Sequence, residues 1–559
     1  MLALALGLAT GCGSCSKSSD ATAPEASAAV IAPEPPVPAP ERLLAEMVVA
    51  TPDATWKRVQ QGVGGAAGIL PNSFAGVVCA LAGLDPPVAN EVDGAAPAYA
   101  AIGEGQGDAI AFAIAMKLAD AARTHTTLFD AENARFNAKD AGGMRVVVGK
   151  SLPLRLTVAI ARSGWLVVAS SEADLARLAP YAYRTLPTRP AQASAVAIDV
   201  PRSALAGAVR ARAAASWGGT KAWLLARDAD ERKKHGGRAA DFGDPPAIVA
   251  CVDAAIERRL AIVGDLAGAH VDFDASEDDV HLVATLKAGG DAATKRFDAM
   301  KPGAAAPLLE APADAAVAWI VRDDAAERAS DAHDIEQCVE SALGKRIGDD
   351  DKKRLAALAD EWAKLRGDWL LGTAMSSASR GLVVRGPSPD ADAAARAVRD
   401  ATQLFQRPFL ADPLKRLLRV REIAPSKVDA PPLGKVDVVT LVRDEPKAEK
   451  DKPKLPSAPL GLAWLAGNGE LSLALGESPA ALLATATKPK AKLGDDARAA
   501  RAIGAIETNA IFAIVAQYGA KGAGPPAVFA WGRRERDGWA RLEVGYGVLR
   551  EILRSFIAP

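Results

Sequence analysis

The sequence predicts an α+β fold in which antiparallel sheets are built from repeated β-hairpin-helix units, arranged as two duplicated halves. Three observations carry this. Residues 154–179 hold one whole unit: Leu154, Leu156, Val158 and Ile160 alternate with Arg155, Thr157, Ala159 and Ala161, the period-2 signature of a strand. Ser163-Gly164 breaks the run, residues 165–169 resume it, and Ser171 with Asp174 has the form of a capping box ahead of Leu175 and Leu178. The same plan returns at 462–483, where Gly469, Leu471, Ala474, Glu477 and Leu483 match Gly164, Leu166, Ala169, Glu172 and Leu178 at one constant offset. Other strand stretches alternate large apolar residues with alanine and have no strongly polar face. That pattern suits strands buried on both sides, with the alanines admitting a second layer.

In chain order, residues 47–50 are a short strand and Pro52 opens a helix in its favoured first turn. Strands at 95–102 and 109–116 flank a glycine-rich turn. In the second, Ile110, Phe112, Ile114 and Met116 oppose Ala109, Ala111, Ala113 and Ala115. A helix is expected over 117–133, then the unit at 154–179. Val196, Ile198 and Val200 mark a strand, 203–215 a helix, 270–287 a hairpin and 291–300 a helix. The second half continues with Val317, Trp319 and Val321, a strand pair at 367–375 and 381–385, and a helix over 390–405 behind Ser388-Pro389. After the unit at 462–483 come strands at 528–531 and 539–544 and a helix over 548–556. Hairpins give antiparallel pairing, and such units segregate helices to one face of the sheet. Residues 228–246, 421–432 and 444–459 are charged or proline-broken and are expected to be exposed loops.

At 559 residues the chain exceeds what one core carries, roughly 250–300 residues. Pattern breaks at 301–312, so the domains are set at 41–303 and 304–559, both α+β. The 67 basic and 68 acidic side chains nearly cancel, which argues against nucleic acid as a partner. Residues 16–40 are rich in Ser, Ala, Glu and Pro and read, from residue 12 onward, as a disordered tether.

Residues 1–9 are apolar and Ala9-Thr10-Gly11-Cys12 resembles the lipobox of bacterial lipoproteins. The resemblance implies a signal peptide over 1–11, lipidation of Cys12, and a home in the cell envelope. Gly13 is not the acidic residue that retains such lipoproteins at the inner membrane, so an outer-membrane lipoprotein facing the periplasm or the cell surface is expected. The apolar run is short and no Lys or Arg precedes it, as for a start placed too far downstream. The body loosely resembles large uncharacterised exported bacterial proteins with repeated strand-helix units.

No catalytic constellation is legible. There is no G-x-S-x-G between strand and helix, Gly149-Lys150-Ser151 lacks the leading glycine and the helix of a P-loop, and Gly62, Gly64 and Ala67 lack a preceding strand. Cys12-Gly13-Ser14-Cys15 precedes no βα unit. Cys79, Cys251 and Cys338 can pair or stay free, and spacing does not choose. One cluster has ligand chemistry: His270, Asp272 and His281 on a hairpin, with Asp274, Asp278 and Asp279, would suit zinc or another divalent ion. No catalytic or cofactor-binding residues are assigned. The expected function is a lipid-anchored envelope protein of binding or scaffolding type, without chemistry. The alternatives are a periplasmic carrier of a lipid or other apolar ligand, which needs a cavity between sheet and helices, and a metal-dependent hydrolase resting on His270, Asp272 and His281.

Overall fold

The computed structural model describes residues 34–107, 109–130, 135–150, 154–234, 243–375, 380–417, 419–444, 460–517 and 526–550. The fold is α+β with one antiparallel sheet of 20 strands. The first half contributes β1 (Leu43–Val49), β2 (Ala98–Glu104), β3 (Ile110–Lys117), β4 (Phe136–Ala141), β5 (Met144–Gly149), β6 (Thr157–Ala161), β7 (Trp165–Ala169), β8 (Val196–Pro201), β9 (Leu266–Ala275) and β10 (Asp279–Ala288). The second half contributes β11 (Ala315–Arg322), β12 (Trp369–Met375), β13 (Gly381–Pro387), β14 (Val420–Asp429), β15 (Lys435–Arg443), β16 (Leu460–Gly467), β17 (Glu470–Gly476), β18 (Ala510–Ala516), β19 (Ala527–Arg534) and β20 (Asp537–Gly545).

Pairing orders the first half β4-β5-β6-β7-β3-β2-β1-β8-β9-β10. Counted inward from its own edge, the second runs β14-β15-β16-β17-β13-β12-β11-β18-β19-β20. The two orders are identical once each strand of the second half is matched to the one ten places earlier. The halves meet where β10 pairs antiparallel with its counterpart β20, from Asp279 opposite Gly545 to Leu286 opposite Gly538. Antiparallel pairing of like edge strands is the geometry of a two-fold dimer, here within one chain. The changeover lies between the last helix after β10 and β11, and the sheet crosses from half to half without a break.

The matched units at 154–179 and 462–483 are β6-β7 and β16-β17, each with a helix behind. Their turns use Gly164 at φ 76° and Gly469 at φ 73°, the left-handed backbone that glycine adopts freely. Ser171 caps its helix by accepting from the backbone N–H of Asp174 at 3.1 Å, as the capping box predicts.

Helices lie on both faces of the sheet, not one. They are α1 (Pro52–Val63), α2 (Phe74–Ala82), α3 (Pro86–Asn90), α4 (Ala121–His125), α5 (Glu172–Pro180), α6 (Arg202–Ala204), α7 (Arg210–Lys234), α8 (Pro245–Gly264) and α9 (Asp291–Asp298) in the first half. The second half adds α10 (Ala325–Leu343), α11 (Asp349–Leu365), α12 (Ala391–Gln403), α13 (Pro408–Leu417), α14 (Pro479–Thr487) and α15 (Ala497–Gly504). Leu175 and Leu178 of α5 pack on Ala111, Ala113, Ala115 and Ala169. Val78 and Ala82 of α2, with Val88 of α3, pack on the opposite side against Met116, Leu166 and Val168. In the second half, α14 and α15 cover the alanine side, and α12 covers the edge of the bulky side around Trp464 and Leu471.

Several expectations are corrected. Residues 421–432 are mostly β14, an edge strand that tolerates Pro425 because one of its flanks is unpaired. Of the loop expected at 228–246, residues up to Lys234 end the 25-residue α7, and 235–242 lie outside the described residues. The loop at 444–459 also lies outside them after Asp444. The helix expected over 117–133 starts later, because β3 runs to Lys117; it comprises α4 and a π-helical turn over Thr126–Asp130, and residues 131–134 lie outside the described residues. Asp390, not Ser388, caps α12 by accepting from the N–H of Ala393, while the Ser388 hydroxyl donates to the Leu365 carbonyl. The end of the expected tether is docked: Val37 exchanges two hydrogen bonds with the Thr185 hydroxyl at 2.9 and 2.7 Å, and Glu34 pairs with Arg184.

Candidate functional site

Cys12 lies outside the described residues. The other predicted site residues sit at the middle of the sheet, on its alanine side. His270 stands opposite Asp199 of β8, with Nδ1 2.7 Å from its carboxylate and Nε2 3.2 Å from that of Asp272. Asp272 also accepts from the Ser194 hydroxyl at 2.6 Å, and Asp274 from the backbone N–H of Ala195 at 2.7 Å. His281 stands opposite Asp274, 3.6 Å away, and 3.9 Å from Asp279. The two imidazoles therefore belong to separate carboxylate pairs rather than one ligand set. Among the described residues, no group of three or more His, Cys, Asp or Glu side chains is arranged to hold a metal ion. Burial draws the pKa of His270 down, but the hydrogen bond and charge of Asp199, with Asp272, outweigh it and hold the imidazole above its ordinary value.

The other side of the same strands presents a different surface. Alternation and register place Ile198, Val271, Leu282, Leu542, Ile514 and Trp319 on one face, each on a different strand of the run β8-β9-β10-β20-β19-β18-β11, with Phe529 supplying β19. All are apolar and none is fully buried, and Phe529 is 37% exposed. Equivalent alanines on the opposite side, such as Ala318, Ala513 and Ala530, are buried completely or nearly so. The expectation that such strands are buried on both sides therefore fails at the centre of the sheet: the bulky side keeps partial access to solvent, and the alanine side, sealed at Ala318, Ala513 and Ala530, is itself partly open at His270 and Asp272. The ring of Trp319 lies across Gly372 of β12, where a Cβ would overlap it, so the indole leans away from β18 and off the end of the strip.

Helix α8 reaches this face at its C-terminal end, and α10 packs on α8 and α11. Residues recur every 100° around a helix, which puts Ile248, Val252, Ile256 and Val263 on one stripe of α8. Val263 and its neighbour Ile262 pack with Val200, Ala269 and Leu286 of the bulky side, so the C-terminal end of α8 meets the sheet. Farther along α8, Ile248 and Val252 are each 42% exposed. On α10, Ile335 points away from Ser330, His333, Gln337 and Glu340 and is 64% exposed. The two helices run antiparallel and are tied by the Cys251–Cys338 disulfide, by Arg258 on Asp334 at 2.8 Å, and by the Asp244 N–H on the Ala342 carbonyl at 2.6 Å. That settles the pairing that spacing left open. Cys79 is the unpaired thiol among the described residues, pushed up to about 12 by burial in α2.

A cleft of about 510 Å³ opens between the β2-β3 turn and the start of α5. Within it Arg42 pairs with Glu104, and Arg177 bonds Asp174 and the Glu104 carbonyl. No helix among the described residues is long and apolar enough to cross a membrane.

No family model matches the sequence, and no curated protein matches it. Among solved structures, one titled "Structure of crystal form III of TP0453" is similar over 44% of this chain and 77% of its own length, at 10% identity and a TM-score of 0.22. A likeness at that level carries no argument about this chain.

Proposed function

We propose that this chain is a cell-envelope protein, held at a membrane through lipidated Cys12, that works by binding rather than by chemistry, with the bulky side of the central sheet as its binding surface. The observation that supports this is the strip from Ile198 to Trp319: a row of large apolar side chains at the middle of a sheet, left half-buried. Apolar surface kept in water forgoes about 25 cal/mol for each Å². Contiguous patches of this kind mark interaction sites on soluble proteins. The Cys251–Cys338 disulfide favours an oxidising compartment such as the periplasm or cell surface. The docked segment from Glu34 to Pro40 gives a tether a fixed point of departure from the body. The separate pairing of His270 and His281 gives the hydrolase reading no support.

Alkyne-tagged palmitate fed to expressing cells tests the anchor. The wild-type chain is expected to take up the tag and to sediment with membranes, and Cys12→Ser to lose both. A wild-type chain without tag, soluble after lysis, would overturn the envelope assignment.

A further inference from the structure

We infer that the Cys251–Cys338 disulfide is a redox-controlled latch: a dithiol reductant that opens it frees the α7–α8 pair from α10 while the sheet stays folded. The latch is independent of the binding surface proposed above. The helix pair is an addition to the repeat. Strands β8 and β9 are separated by α6, α7 and α8, whereas their counterparts β18 and β19 are separated only by residues 517–526. The pair carries almost no core of its own. None of the 25 residues of α7 is buried, and of the 20 in α8 only Val249 is. The sequence explains this, because α7 is built largely of alanine, glycine and charged residues and has little apolar surface to bury.

The pair is rooted at one end. Leu205 and Val209, ahead of α7, and Ile262 and Val263, at the end of α8, join a cluster with Val200, Ala269 and Leu286 of the sheet. At 1.5 Å per residue, Cys251 stands roughly 20 Å along α8 from the last residue of that helix. Trp217 and Lys221 both reach Asp253, and Arg232 reaches Asp244, so α7 moves with α8. Helix α10 is held at both ends. Arg328 is buried against Asp323 and the Ala363 carbonyl, and Val339 and Leu343 pack with Ile347, Leu404 and Phe409. The disulfide therefore joins a lever to a fixed post. Beside it, Arg258 meets Asp334 in an exposed ion pair, and the Asp244 N–H meets the Ala342 carbonyl. An exposed pair adds little, and an element with few buried contacts opens by itself well before the sheet does.

Both cysteines are half-buried, next to the exposed Val252 on α8 and near the exposed Ile335 on α10, so a reductant reaches the bond. The thiolate of a dithiol attacks one sulfur, forming a mixed disulfide and expelling the other cysteine. The reductant's second thiol then closes on its first and expels the remaining cysteine. Two electrons and two protons pass to Cys251 and Cys338, which leave as thiols, and the reductant leaves as a disulfide. Cys79, buried in α2, offers no competing thiol.

Hydrogen exchange read by mass spectrometry on the purified full-length chain, before and after dithiothreitol, tests the latch. Iodoacetamide is expected to label Cys251 and Cys338 only after reduction. Reduction should then speed exchange at least tenfold in α7 and in the first half of α8, and leave β6, β7, β16 and β17 unchanged. Cys251→Ser with Cys338→Ser should show the fast pattern without reductant and ignore its addition. Reoxidation of the wild type should restore protection. Equal exchange in both redox states would overturn the latch, as would two cysteines that stay unlabelled in the native chain under dithiothreitol. Faster exchange spread evenly over helices and sheet would also overturn it, because the bond would then hold the whole fold rather than one lever.

Discussion

Cys251 of α8 and Cys338 of α10 are joined by a disulfide that spans 87 residues of sequence and links the first half of the chain to the second, with Cα atoms 5.8 Å apart. The continuous sheet already connects the halves at β10 and β20, so this bond fixes the helical layer rather than the sheet. Closing a loop of that size stabilises a fold by roughly 2–4 kcal/mol, mainly by restricting the unfolded chain. Reductant, or Cys251→Ser with Cys338→Ser, is therefore expected to lower the thermal midpoint by several degrees. A scanning calorimetry trace unchanged by reductant would refute it.

Trp319 and Gly372 form a second telling pair. A side chain at 372 would occupy the space of the indole, so Gly372→Val should drive Trp319 off β12 and into solvent. The expected cost is about 1–3 kcal/mol, with a red shift in tryptophan emission, read by urea unfolding and fluorescence.

His270 is expected to make folding pH-dependent. Its pKa is raised in the folded state, so its contribution is fully present below the ordinary histidine value, about 6.5. That contribution is lost as pH rises through the raised value. Asp199→Asn should bring the His270 titration down and flatten the dependence, which NMR of the imidazole protons checks.

Asp323 and Arg328 are both buried at the start of α10, where the guanidinium bonds the carboxylate at 3.2 Å and the Ala363 carbonyl at 3.3 Å, and Arg366 pairs with the same carboxylate. Asp323→Ala leaves the buried Arg328 only the exposed Asp368 carboxylate, 3.9 Å away, and should cost about 3 kcal/mol in chemical denaturation.

How much of this was legible in the sequence follows from the physics of each signal. The hairpin units at 154–179 and 462–483 were readable because Gly164 and Gly469 mark turns that need left-handed backbone, and because period-2 alternation survives divergence. Alternation shows two faces but does not say which is sealed. That depended on where α5, α14 and α15 dock, and small alanines admit a helix more closely than Trp319 or Phe529 do. Helices α7 and α8 escaped because their alanine-rich stretches carry little amphipathic contrast, and β14 because Pro425 reads as a break until the strand is known to be an edge. The His270 cluster was correctly placed on one face of a hairpin. Asp199 and Ser194, which hold His270 and Asp272, come from distant sequence, so their claim on those side chains could not be foreseen. Strand order across the halves is a long-range property with no local signature, and only the repeat hinted at it.

Solvent access at the middle of the sheet decides the account most directly. Photolysis of a small apolar diazirine with the native chain, followed by peptide mapping, should label Val271, Leu282, Ile514 and Phe529 strongly while sparing Val158, Val168 and Ala513, their counterparts in sealed layers of the same sheet. Equal protection of both groups would mean that the bulky side is closed, and would contradict the binding surface and everything inferred from it.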